Sequence, residues 1–327
     1  MKKVKLGVIG LGFIGKVHLR NCLRLKSARV VAAADISKMA LEYARNFGVK
    51  QLYTDYHELL KLKDVDAVII SLPTHLHAEC AISALEEGKH VFLEKPLARD
   101  PREGEKIISA MNKNCAKLMV GYPLRFVPEF IDLKKKIDSG SLGDVQIAQA
   151  VNIGAGPFLH RLESTVPCPI PEWWFDKDLA GGGALLDLGS HMINLMRWYF
   201  GEIRAIKAYL GYRFNLNVED HAFCIADFNS GVKASINVGW FSQRTAIGIE
   251  LYGTMDHFNC FLQPQSKVMT AVSLILNKLP KFFKPYLAEL KQFVSCLCND
   301  RIPSLSVYEA LEDLKVIAQA YESRISF

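Results

Sequence analysis

The sequence predicts an α/β chain in two parts: a parallel, doubly wound sheet, then an α+β domain with a large, open-faced and mostly antiparallel sheet. Three observations lead there. Residues 4–9 form an apolar strand that runs straight into Gly10-Leu11-Gly12-Phe13-Ile14-Gly15 and then a helix. Residues 65–97 read as strand, helix and strand, a βαβ unit whose strands are parallel neighbours. Beyond Gly201 the pattern changes to short alternating strands at 203–211, 221–228, 232–240, 246–252 and 257–262. Asn229-Ser230-Gly231 and Gly253-Thr254 mark their turns, as in an antiparallel sheet with one covered face.

Composition narrows the function. A length of 327 residues, half of them apolar, supports two domains with ample core. The net charge of +6 is scattered, whereas a nucleic-acid surface needs a concentrated basic face. Mild positive charge suits an anionic cofactor or substrate. The eight cysteines show no CxxC spacing and read as small hydrophobes in a reducing, cytoplasmic setting. Cys296 and Cys298, two apart on a helix, point away from each other. Met1-Lys2-Lys3 and the apolar run after it mimic a signal peptide, but Lys5 and four glycines interrupt it and no Ala-x-Ala site follows. No stretch has the length to span a bilayer.

The glycine turn gives the first part its chemistry. Gly10 permits the tight turn, Gly12 lets backbone approach a pyrophosphate, and Gly15 packs helix on strand, with Phe13 and Ile14 between them. The helix N-terminus faces the phosphates. The second strand ends in Asp35, twenty residues after Gly15, where a carboxylate holds ribose hydroxyls. This is the Rossmann dinucleotide fingerprint. Asp35 repels a ribose phosphate and favours NAD, while Ser37 and Lys38 leave NADP open. A helix over 41–47 stops at Gly48, and Thr54-Asp55 with Glu58 resembles a capping box.

The 65–72 strand breaks at Pro73-Thr74, the following helix stops at Gly88, and the 90–93 strand delivers Glu94-Lys95-Pro96. Ligands of such sheets sit beyond the carboxyl ends of the strands, which places Leu72, Pro73, Thr74, His77, Glu94 and Lys95 on the cofactor side. His75 and His77, in a strand–helix turn, suit a cofactor contact or a helix cap better than zinc. Asp100-Pro101 with Glu103 opens another helix. A last strand reaches Tyr122, so the domains are expected at 1–122 and 123–327.

In the second part, Arg125 either faces a ligand or pairs with a surface acid. A helix over 129–139 stops at Gly140, and a strand follows over 145–151. Residues 154–178 are irregular and hold Trp173-Trp174, which form a lid or pack on their own domain. Gly181-Gly182-Gly183 leads into a helix over 184–200. On it Asp187, His191 and Asn194, at i, i+4 and i+7, share one face, as either a proton-transfer pair or a structural hydrogen bond requires. The apolar run 268–276 precedes a lysine-rich loop, and two amphipathic helices end the chain.

Ser71-Leu72-Pro73-Thr74-His75-Leu76-His77, Gly88-Lys89-His90-Val91-Phe92-Leu93-Glu94-Lys95-Pro96 and Gly181-Gly182-Gly183-Ala184-Leu185-Leu186-Asp187-Leu188-Gly189-Ser190-His191 resemble the signatures of one family. It is the glucose–fructose oxidoreductase / inositol dehydrogenase / rhizopine-catabolism (Gfo/Idh/MocA) family, and the resemblance runs from the first strand to the last helix. It implies a nicotinamide-dependent oxidoreductase of a sugar, polyol or sugar derivative. Lys95, Asp187 and His191 take the catalytic roles, and no metal is needed. Tyr122, Arg125, Trp173, Trp174 and Asn194 are the candidate substrate contacts; the family usually has Asp where this chain has Asn194. The antiparallel face implies a homodimer or homotetramer. Three other readings fit the motifs: a nucleotide-sugar dehydrogenase or ketoreductase, a sugar–sugar oxidoreductase with a tightly held cofactor, and a dinucleotide sensor without turnover.

Overall fold

The computed structural model describes residues 3–158, 170–262 and 283–325. The apolar run 268–276 and part of the irregular 154–178 segment lie outside the described residues. The chain divides into two compact units, Met1–Phe126 with Lys267–Leu311, and Val127–Ser266 with Glu312–Phe327.

The first unit carries β1 (Val4–Ile9), α1 (Phe13–Cys22), β2 (Ala28–Ala34), α2 (Lys38–Asn46), β3 (Gln51–Tyr53) and α3 (Tyr56–Leu60). They are followed by β4 (Ala67–Ile70), α4 (His77–Glu86), β5 (His90–Glu94), α5 (Pro101–Lys113) and β6 (Leu118–Gly121). The six strands are parallel in the order β3-β2-β1-β4-β5-β6. The winding order reverses between β1 and β4, with both strands still parallel, and that is the switch point at which such sheets bind ligands. β4 is fully buried, which is why Ala67-Val68-Ile69-Ile70 is a continuous apolar run. Local caps follow the chemistry of the sequence. Asp100 accepts the Glu103 N–H with Pro101 at the first helical position, and Asp55, not Thr54, accepts the His57 N–H at the start of α3.

The second unit contains α6 (Pro128–Asp138), β7 (Val145–Ile153), α7 (Lys177–Ala180), a π-helical turn (Leu185–Gly189) and α8 (Ser190–Phe200). Its remaining strands are β8 (Ile203–Gly211), β9 (His221–Phe228), β10 (Lys233–Gly239), β11 (Ala246–Gly253) and β12 (His257–Phe261). The sheet order is β12-β11-β7-β10-β9-β8. All neighbours are antiparallel except β7 and β10. Alternation sends Ala148, Ala150, Ile236, Val238, Ile249 and Leu251 to the covered face. The other face leaves Ile147, Tyr209, Phe223, Ile225, Tyr252 and Phe261 exposed.

Two elements differ from the sequence reading. The expected straight helix over 184–200 begins with the π-helical turn, so i→i+5 bonding changes the spacing before Ser190. Residues 283–311, expected with the second domain, cluster with the first unit. The cause is α9 (Lys284–Cys298), whose Leu290, Phe293 and Val294 are fully buried. The Phe293 ring lies 5.7 Å from Phe92 of β5, and Phe283 and Tyr286 meet Phe13 and His18 of α1. The unit division falls inside the last helix, α10 (Val307–Glu322).

Deleting the ring that seats α9 should leave a void against β5. Phe293→Ala is expected to destabilise the first unit by about 3–5 kcal/mol. A urea titration followed by tryptophan-independent circular dichroism checks this, and an unchanged midpoint would refute the packing assignment.

Candidate active site

The glycine turn is built by close backbone contact. Gly10 has φ +83°, and a Cβ on it would lie 2.4 Å from the Ser71 carbonyl oxygen. A Cβ on Gly15 would lie 2.0 Å from the Gly10 oxygen, so both positions exclude any side chain. Gly12 is different: its φ is −65° and a Cβ there meets nothing within 4 Å. The open space lies at the N-terminus of α1, where backbone N–H groups and the helix dipole attract an anion. Residues at this turn therefore fit a dinucleotide pyrophosphate.

Asp35 is held at both carboxylate oxygens. Its Oδ2 accepts the Leu11 N–H at 2.6 Å and its Oδ1 accepts the Ser37 N–H at 2.8 Å. One carboxylate thus ties the glycine turn to the start of α2, and a carboxylate's remaining lone pairs stay open to hydroxyls. The Ser37 hydroxyl caps α2 by accepting the Ala40 N–H. Lys38 is exposed beside it.

At the ends of β4 and β5, His77 is buried, with Nε2 2.9 Å from the Leu72 oxygen and Nδ1 2.8 Å from the Pro96 oxygen. Burial pushes its pKa down, against an upward pull from the two carbonyls and Glu94. A neutral ring donates to one carbonyl at a time. His77 is expected at the cofactor; in the structure its ring lies between two of the chain's own backbone oxygens and links Leu72-Pro73-Thr74 to the Lys95-Pro96 segment. Thr74 is likewise buried, and the Lys95–Pro96 peptide is cis. Glu94 is buried too: its Oε1 is 2.5 Å from His18 Nε2 and its Oε2 accepts the Lys95 N–H at 3.2 Å. Lys95 is half-buried at the carboxyl end of β5.

In the second unit, Asp187 stands in the π-helical turn and His191 in the first turn of α8, both partly exposed. Trp240 Nε1 donates to Asp187 Oδ2 at 3.1 Å, which fixes the carboxylate's orientation. Trp173 and Trp174 stack with centroids 4.8 Å apart, and Trp174 meets Trp240 edge-on at 6.0 Å. The two indoles are thus packed into their own unit and tied to the residue that holds Asp187. Asn194 is fully buried and donates to Asp313 at 2.6 Å. Asp313 also pairs with Arg197 at 2.6 Å, so Asn194 anchors α8 in the interior rather than facing a substrate. Glu219 organises the glycine run: its carboxyl accepts from the Gly183 and Leu185 N–H groups and from the Tyr321 hydroxyl. Burial raises its pKa, against the lowering effect of those donors.

Back in the first unit, Arg125 donates to Glu309 at 3.0 Å and its side chain is 10% exposed, the acid-pairing alternative. Tyr122 is buried. The sequence reading missed His18, Glu219, Trp240, Glu289 and Asp313. A signal existed for some: Glu289 sits on the apolar stripe of α9, one turn before Phe293, and His18 on the buried side of α1. A charged or polar side chain on a buried stripe has a partner to be found.

Gly12→Ala separates binding from folding. The variant should keep its melting temperature within about 2 °C, since the backbone there is unstrained and the space open. Its NADH affinity, by fluorescence titration, should fall at least about tenfold. Undiminished affinity would remove the turn from cofactor binding.

Comparison with known proteins agrees with this geometry. The model of the oxidoreductase family with an NAD-binding Rossmann fold matches residues 4–122, and that of the GFO/IDH/MocA C-terminal domain matches residues 130–258. The chain is 32% identical to myo-inositol 2-dehydrogenase of Thermotoga maritima over 321 residues, 93% of this chain and 91% of that protein. It is 33% identical to levoglucosan dehydrogenase of Pseudarthrobacter phenanthrenivorans over 220 residues, 64% of this chain but only 54% of the relative. A crystal structure of scyllo-inositol dehydrogenase from Lactobacillus casei, with NAD(H) and scyllo-inositol bound, shares its fold. The TM-score is 0.81 at 22% identity, covering 99% of this chain and 97% of that one. The chain belongs to the GFO/IDH/MocA family of NAD-binding oxidoreductases.

Proposed function

We propose that the protein is an NAD-dependent dehydrogenase of a sugar or polyol hydroxyl, with Lys95, Asp187 and His191 as its catalytic residues. The observation that carries the reading is the Trp240 bond to Asp187, which holds a carboxylate in fixed orientation one helical step before an imidazole. In the proposed reaction His191 accepts the substrate hydroxyl proton. Lys95 hydrogen-bonds the same oxygen and stabilises its developing negative charge. Asp187, held by Trp240, orients the substrate and the imidazole. NAD, held at the glycine turn and by Asp35, supplies the hydride acceptor.

The substrate class is supported by the names of its relatives, which act on inositols and levoglucosan. It is supported also by the Trp240 indole on Asp187 and the Trp174 ring that meets it, since flat aromatic faces suit the C–H faces of a ring. Tyr122, Trp173 and Trp174 remain our candidates for setting specificity. The described cysteines are free, and no described helix is long and apolar enough to cross a membrane, both of which suit a cytoplasmic enzyme.

We also assign the exposed sheet face to a second copy of the chain. Tyr209 opposes Phe223 across β8 and β9, and Ile147 opposes Tyr252 across β7 and β11, so the apolar side chains form lateral rows. An apolar face of this kind on a monomer invites association.

NAD reduction over a panel of inositols, levoglucosan, aldoses and uronic acids tests the activity. The parent should turn over at least one compound, and Lys95→Ala should lower kcat about 10²- to 10³-fold with NADH binding retained. Full activity in the variant would remove Lys95 from the mechanism. For the assembly, Ile225→Lys is expected to convert a dimer or tetramer to smaller species in light scattering; a monomeric parent would overturn the assignment.

A further inference from the structure

Three ionisable side chains of the first unit meet where the proposed mechanism makes no use of them. His18 from α1, Glu94 from β5 and Glu289 from α9 bring one nitrogen or oxygen each to within 4.8 Å of one another. All three are buried, His18 and Glu289 completely. Glu94 faces both ways: Oε1 lies 2.5 Å from His18 Nε2, and Oε2 accepts the Lys95 N–H. Neither oxygen of Glu289 has a hydrogen-bond partner among the described residues.

A cation is one occupant such a cluster suggests, and the distances argue against it. Ligand atoms bonded to one metal at 2.0–2.1 Å stand roughly 3.3 Å apart in a tetrahedral site. His18 Nε2 and Glu94 Oε1 stand instead at hydrogen-bond distance of each other. Burial, and after it the charge of Glu94, push the Glu289 carboxyl well above the usual carboxylate range, which favours its neutral form. The ionisable groups that face it are Glu94 from β5 and His18 from α1. A buried O–H without an acceptor is unfavourable, and a side-chain rotation that turns it onto Glu94 relieves the cost.

We propose that His18, Glu94 and Glu289 form a positioning network for Lys95, in which His18 and the Glu289 O–H together keep the Glu94 carboxylate turned onto the Lys95 amide. The network acts through Glu94 and touches no reacting atom. Its catalytic consequence rests on the reading of Lys95 given above; its structural consequence does not.

The test uses Glu289→Gln, which keeps a neutral donor, and Glu289→Met, which keeps the volume and loses it. Glu289→Ala replaces the Met variant should that one fail to fold. Hydrogen exchange of the Lys95 amide, read by NMR, needs no substrate. The Gln variant should keep the parent's protection, and the apolar variant should lose about tenfold. On any compound that the parent oxidises, kcat should follow the same order, within about twofold for Gln and down about tenfold for Met, with the Kd for NADH unchanged. Parental protection in the Met variant would overturn the network, and so would equal impairment of Gln and Met, which would mark Glu289 as packing volume. A parent that oxidises nothing on the panel would count against the catalytic reading of Lys95, while the exchange result would still decide the network.

Discussion

Backbone packed directly on backbone at the end of β1 is the constraint on which the first unit depends. Side chains are excluded at Gly10 and Gly15 because the Ser71 and Gly10 carbonyls occupy the space a Cβ would need. That contact sets the angle at which α1 leaves the sheet, and it opens the helix N-terminus beside Gly12. The same helix carries His18, one turn further on, against Glu94 of β5. Glu94 in turn holds the Lys95 amide. A steric requirement at a glycine thus reaches Lys95 through one helix and two hydrogen bonds.

The second unit solves a comparable problem with buried charge. Its glycine run 181–183 is held by Glu219, and α8 is held by Asp313 through both Arg197 and Asn194. The Arg197–Asp313 pair is almost wholly buried, a geometry in which desolvation offsets much or all of the Coulombic gain. What such a pair contributes is a defined orientation: removing either partner strands the other charge. Asp187 and His191 are thereby displayed from a rigid element, as the proton transfer we propose for them requires.

Legibility from sequence followed the range of the interaction. Period-two alternation located β8 to β12, and strand–turn–helix chemistry located the glycine turn, because each signal lies within a few residues. The order of the second sheet and the parallel β7–β10 pair carry no such local mark. The π-helical turn at Asp187 was invisible, since apolar spacing does not distinguish i→i+4 from i→i+5 bonding over so short a stretch. His77, Asn194 and Arg125 were recognised as polar residues with work to do, but their partners were not readable. Asn194 and Asp313 are 119 residues apart, and Arg125 and Glu309 are 184 apart. The role of α9 escaped for the same reason: its apolar stripe was plain, and what that stripe covers was not.

Two buried carboxyls, both pushed upward in pKa by desolvation, make an instructive contrast. Glu219 receives two backbone N–H groups and a tyrosine hydroxyl, so its position is explained by the turn it organises. Glu289 receives no such donors among the described residues, and its nearest charge is another carboxylate. On packing grounds an apolar side chain of similar volume would serve α9 better, because it carries no desolvation penalty. A carboxyl in that place gains a physical reason only from what a neutral acid offers Glu94: a donor that an apolar group lacks and that a charged group would replace with repulsion. The same reasoning explains why the network must sit in a dry interior, where the proton stays on Glu289 and the Glu94 charge stays directed at His18 and Lys95.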